Sequence, residues 1–150
     1  MEIKSQLNEA MKQAMRANDD VARRTTRMAL AAVKQAEVDK QTVLDDAAVI
    51  GLLQKEIKNR REAVEEARKA NRSDLIAENE AEIKVLERFL PKAMSLDELR
   101  ALAQAAVAET GASAQTDMGK VMKVLMPKVA GRAAGDQVSA LVKELLTKQG

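Results

Sequence analysis

The sequence predicts an all-α protein, with an N-terminal helical domain of about four helices and a small C-terminal three-helix module. Three observations carry this expectation. Helix formers such as Ala, Leu, Lys, Glu, Gln, Arg and Met dominate the 150 residues, with only six glycines and two prolines. Apolar residues recur at three- and four-residue spacing along most of the chain. Phe89 is the single aromatic residue, so any core is aliphatic and buries less area per residue than an aromatic one would.

Ile3, Leu7, Ala10, Met11 and Ala14 mark a first helix that ends near the tetrapeptide ANDD at 17–20. Asp19 or Asp20 caps the second, which runs from about Val21 to Asp39. Its stripe is Val21, Met28, Ala29, Ala32, Val33 and Ala36, with small residues that suit close helix packing. Asp45 or Asp46 caps a long third helix with Val49, Ile50, Leu53, Ile57 and Val64 inward. Its second half, KNRREAVEEARKA, is charged and solvent-facing. Ser73 caps a fourth helix carrying Ile76, Ile83, Leu86 and Leu90, a seam suited to antiparallel packing against the third.

Pro91 stops that helix, because the residue before a proline avoids the helical region. The SLDE run that follows is a capping box of Ser95 and Glu98, with Met94 and Leu99 as its hydrophobic staple. The domain boundary is set here, giving residues 1–93 and 94–150. The remainder reads as three helices. One spans Leu96 to about Glu109 and closes on Gly111. The next starts after Thr116 and ends before Pro127. The last runs from Asp136 to about Lys148, with Val138, Leu141, Val142, Leu145 and Leu146 inward.

The chain has neither cysteine nor histidine, which removes the usual nucleophile–base pairs and nearly all soft or borderline metal sites. No metal, cofactor or catalytic residue is expected. The carboxylate pairs Glu65–Glu66 and Glu80–Glu82 read as solvated surface. The N-terminus is amphipathic and of mixed charge, with no apolar leader, and no run is long enough to span a membrane. A cytoplasmic protein without a membrane role is expected.

The net charge of +2, from 25 basic and 23 acidic residues, is too balanced to signal nucleic-acid binding by itself. Local clustering is the remaining signal. The stretch DMGKVMKVLMPKVAGRAAG, from Asp117 to Gly135, holds three glycines, one proline and four basic residues. On a helical wheel Met118, Val121, Met122, Leu125 and Met126 form an apolar arc, read as core, with Lys120 and Lys123 opposite. Lys120, Lys123, Lys128 and Arg132 are the candidate phosphate contacts. Gly119 reads as a site of close helix packing, Pro127 as the helix stop, and Gly131 and Gly135 as turn positions free to adopt unusual backbone angles. A second basic surface, Lys55, Lys58, Arg61, Arg68, Lys69 and Arg72, is interleaved with Glu62, Glu65 and Glu66 and reads as a salt-bridged face. With Phe89 the single aromatic and none available to stack a base, sequence-specific reading of single strands is not expected.

RMALAAVKQAE, EIKNRREAVEEARKANRSDLIAENEAEI, FLPKAMSLDELR and GASAQTDMGKVMKVLMPKVAGRAAG together resemble the YqeY family, in order and over essentially the whole chain. The resemblance implies a C-terminal module shared with the tail of GatB, a subunit of the glutamine-dependent tRNA amidotransferase, where the tail contacts tRNA. It also points to a departure: Ala134 stands where the family commonly has an acid, a natural cap for the last helix. Asp136 or Gly135 takes that role here. The implied function is a non-catalytic tRNA- or RNA-binding accessory. A protein-interaction adaptor that docks through its N-terminal helices is the alternative. A weaker alternative is participation in carbon–nitrogen ligase activity with glutamine as amide donor, although the chain is not expected to be an enzyme on its own.

Overall fold

The computed structural model describes residues 2–149, and among these there are seven α-helices and no strand. They are α1 (Ile3–Arg16), α2 (Asp20–Lys40), α3 (Asp46–Lys69), α4 (Ser73–Glu87), α5 (Leu96–Thr110), α6 (Met118–Val129) and α7 (Gly135–Gln149). A single 3-10 turn, Gln115–Asp117, leads into α6. The helices fall into two compact units, residues 1–90 and 91–150.

In the first unit α1 pairs with α2 and α3 with α4, and α2 also packs on α4. Leu7, Val33, Val49, Leu53, Ile57 and Leu86 are buried in its core, and Phe89 lies at the edge. Helix starts follow from the sequence. The Asp19 carboxylate accepts the Ala22 N–H at 3.0 Å, and Asp45 accepts that of Ala48 at 2.9 Å. Ser73 departs from expectation: it is the first helical residue, and Arg72 before it offers no side-chain cap. The link between α2 and α3 is held by Glu37, whose carboxylate accepts the Leu44 N–H at 2.8 Å and pairs with Lys4 at 3.0 Å.

Two sequence readings change, one on an apolar stripe and one on a carboxylate. Met28 is 48% exposed, because the buried side of α2 runs through Ala22, Thr25, Thr26, Ala29 and Val33. The Thr25 hydroxyl, fully buried, has no hydrogen-bond partner among the described residues. Glu82, read as solvated, is buried on α4 between two arginines. Arg60 Nε donates to one of its oxygens at 3.2 Å, and Arg24 reaches the other at 3.3 Å. Arg60 also binds Glu56 at 2.8 Å, and Arg24 binds Glu78 at 3.2 Å. This network ties α2, α3 and α4 through charge as well as apolar contact.

In the second unit α5, α6 and α7 pack on one another around Leu99, Ala103, Val121, Leu125, Val129, Val138, Val142 and Leu146. Met118, Met122 and Met126 are half-buried against that core, in line with the aliphatic-core reading. Ser95 Oγ accepts the Glu98 N–H at 3.1 Å, and Gly111 closes α5 in the left-handed region at φ 67°. Pro91, Lys92 and Ala93, assigned from sequence to the first domain, belong to this unit. The Met94 N–H donates to the Arg132 carbonyl at 2.8 Å, and Arg132 Nε donates to the Lys92 carbonyl at 3.0 Å.

Candidate nucleic-acid interface

Lys120 and Lys123 sit on the exposed side of α6, opposite Val121 and Leu125, as three-residue helical spacing requires. Lys120 makes one loose ion pair, to Asp117 at 3.9 Å, and its side chain is 74% exposed. Lys123 has no ion-pair partner among the described residues. Asp117 is turned away from α6: its carboxylate accepts the Ser113 N–H at 3.1 Å and the Ala114 N–H at 3.3 Å. Those two N–H groups, with the Lys120 charge in support, hold its carboxyl below the ordinary carboxylate value. Its negative charge is therefore committed to the turn before the helix.

The other two cations are engaged within the unit. Lys128 pairs with Glu109 of α5 at 2.9 Å. Arg132 pairs with Glu98 at 3.0 Å while its Nε holds the Lys92 carbonyl. The carboxylate expected to complete the α5 capping box thus binds Arg132. No acid lies between Lys120 and Arg132 in sequence, but α5 brings Glu109 to Lys128 and Glu98 to Arg132 in space. Sequence adjacency could not reveal this, since the acids stand 19 and 34 residues from their partners.

The turn-making residues need correction at three places. Pro127 does not end α6; the helix continues to Val129. The proline removes only the bond it would have given to the Lys123 carbonyl, and both residues are exposed, so water can serve that oxygen. The stop comes at Ala130 and Gly131, which take left-handed angles of φ 51° and 79°. Gly119 is not a site of close packing: it is exposed, and no atom lies within 4 Å of where a Cβ would sit. Gly131 does need its freedom, whereas Gly135 is simply the first residue of α7, with no positive φ. Ala134 accepts the Val138 N–H at 3.1 Å through its carbonyl but has no side chain with which to cap, and Asp136 accepts the Gln137 N–H at 2.9 Å.

The basic residues of α3 are largely paired. Arg68 binds Glu65 at 2.7 Å, Lys69 binds Glu66 at 3.5 Å, and Arg61 binds Glu87 at 3.4 Å. A further basic cluster lies on α2, where Arg23, Arg24 and Arg27 share one face, and their i, i+1, i+4 spacing is its signal in the sequence. Among the described residues no three acids gather as a metal site, and no helix is long and apolar enough to cross a membrane.

Comparison with known proteins places these observations in a family. The fungal proteins named "Altered inheritance of mitochondria protein 41, mitochondrial" are similar to this chain. That of Lachancea thermotolerans is 39% identical over 85 residues, covering 56% of this chain and 46% of the relative. That of Vanderwaltozyma polyspora is 35% identical over the same coverage, 56% and 46%. That of Pyrenophora tritici-repentis is 31% identical over 142 residues, 91% of this chain and 76% of the relative. The match thus spans less than half the length of the two yeast relatives. Their mitochondrial designation overturns the cytoplasmic expectation. That expectation rested on missing cysteine and a mixed-charge amphipathic N-terminus, features that do not separate one reducing compartment from another. The model of the family described as Yqey-like protein matches residues 4–146, nearly the whole chain, and the protein therefore belongs to the YqeY-like family.

Proposed function

We propose that this protein is a non-catalytic RNA-binding accessory, with tRNA as the class of RNA, and that the second unit binds it through Lys120 and Lys123. The observation that carries this reading is the state of those two lysines. They stand side by side on an exposed helix face, and no acid holds them closely. Long flexible cations in that state suit phosphate oxygens, which give affinity without reading bases. Charge distribution supports it too, since residues 91–150 carry eight basic against six acidic residues while residues 1–90 carry seventeen of each. The choice of tRNA rests on the resemblance to the GatB tail, which is an argument by analogy. Lys128 and Arg132 serve this reading as structural ties rather than as phosphate ligands. With no cysteine or histidine in the sequence, binding is a better reading than glutamine-dependent amide transfer.

Gel-shift titration with bulk tRNA at two salt concentrations tests the proposal. Binding should weaken with salt, and Lys120→Ala with Lys123→Ala should lower the salt slope by about 2, since each lysine that meets a phosphate adds roughly 1 to it. No shift at low salt, or an unchanged slope in the double variant, would sink it. A second reading, a protein-interaction adaptor, is favoured by Val38 and Val43, 63% and 76% exposed at the end of α2 and in the link to α3. For that reading, Val38→Ser with Val43→Ser should abolish retention of a partner by the full chain, with tRNA binding unaffected.

A further inference from the structure

We propose that a surface hollow on α2, lined by Asp20, Arg23, Arg24 and Arg27, binds a phosphate group. The hollow lies wholly within the first unit. Arg23 and Arg27 are four residues apart and Arg24 and Arg27 three, so the three guanidinium groups rise from one patch of helix surface. Like charges at these spacings repel, and the nearby acids relieve this unevenly. Asp20 pairs with Arg23 at 3.3 Å. Glu78 and Glu82 hold Arg24 at 3.2 and 3.3 Å. Arg27 has no ion-pair partner among the described residues.

Arg24 is the fixed member of the group. Its Nε and Nη2 are bonded to α4 carboxylates, so an incoming anion would not have to freeze that side chain. Glu82 is shared with Arg60, so the innermost of these acids is already matched by two positive charges. A carboxylate brings two acceptor oxygens and one negative charge. A phosphate, with more acceptor oxygens and up to two negative charges, can draw on several. The chemistry of the hollow therefore selects a phosphorylated ligand, whether the phosphate belongs to an RNA strand or to a small polyphosphate.

The test uses the full chain and two probes, tripolyphosphate by calorimetry and bulk tRNA by gel shift. The variants are Arg27→Gln and Arg23→Gln with Arg27→Gln, with helix content checked by circular dichroism. The wild type should bind tripolyphosphate, the single variant should bind about tenfold more weakly, and the double variant should not bind measurably. Lys120→Ala with Lys123→Ala should leave tripolyphosphate binding unchanged, which separates this site from the α6 lysines. If tRNA affinity also falls in the arginine variants, the phosphate comes from RNA. If tRNA affinity holds while tripolyphosphate binding is lost, the ligand is a small phosphate compound. Tripolyphosphate binding that survives the double variant would overturn the proposal. So would an absence of tripolyphosphate binding by the wild type together with tRNA affinity unchanged by the arginine variants.

Discussion

The two units handle charge in opposite ways. In residues 1–90 some of the charge is internal: Arg60 and Glu82 are buried, each bound to more than one partner, and they cross-link three helices. Among the described residues of 91–150 the buried ones are all apolar, and the ion pairs lie at the surface. An aliphatic core tolerates many packings of similar energy. A buried ion network is less forgiving, because a shifted helix would leave a charge without its partner. The first unit therefore adds a buried ion network to caps and apolar packing in fixing helix register, whereas the second relies on caps, turns and the shape of small side chains. A unit that keeps its cations outside has them available for a ligand.

The strongest way to break this contrast is at Glu82. Glu82→Ala leaves the buried Arg60 with Glu56 alone and should cost about 3 kcal/mol in urea denaturation. Replacing the pair together, Arg60→Met with Glu82→Leu, should recover most of that loss, since apolar substitutes for buried ion pairs are often neutral or better. Glu98→Ala removes the Arg132 partner at the surface and should cost less than about 1 kcal/mol. If the two alanine variants cost the same, the contrast between the units fails.

Smaller effects of opposite sign are expected within the α6 stretch. Gly131→Ala forces a Cβ onto a left-handed residue and should destabilise by about 1–2 kcal/mol. Ala130→Gly relieves the same strain one residue earlier and should stabilise by about 1 kcal/mol. Gly119→Ala meets open space on a helix and should stabilise by about 0.5 kcal/mol. Thermal melts followed by circular dichroism would rank the three, and a destabilising Gly119→Ala would restore the close-packing role.

The smallest expected effect is one of pH, and here the units are alike. Each uses a carboxylate to hold backbone N–H groups between helices. Glu37 is held below its ordinary value first by the Leu44 N–H and then by Lys4, and Asp117 first by the Ser113 and Ala114 N–H groups. A lowered folded pKa means the stabilisation is complete above the ordinary values, 4.5 and 3.8, and declines as pH falls below them. It is gone once pH passes below the folded pKa. Asp117→Asn and Glu37→Gln should each flatten the acid side of a stability–pH profile. A profile unchanged in both would show that the loops do not depend on those charges.

What the sequence revealed of this molecule depended on how local each cause was. Asp19, Asp45, Ser95 and Gly111 act on residues within a few positions, and their roles were readable. Ser73 looked like the same signal and was not, because Arg72 takes the position before the helix. The burial of Glu82 is not legible, since nothing in AENEAEI says which of its acids meets an arginine two helices away. The Pro127 reading failed for a different reason: a proline near the end of a short, solvated helix loses one bond and no more. Among the candidate cations, the sequence supplied all four, and only the fold separates the two that carbonyls and carboxylates hold from the two left exposed.

The tie between Arg132 and residues 92–94 bears on how the second unit could be excised for study. Helix boundaries alone would place the cut before Ser95, which caps α5. A fragment starting there would discard the Lys92 carbonyl and the Met94 amide, two of the groups that hold the loop between α6 and α7. A fragment starting at Pro91 keeps both. The start of a fragment that keeps the α6–α7 loop tied is thus set by a few residues with no regular secondary structure.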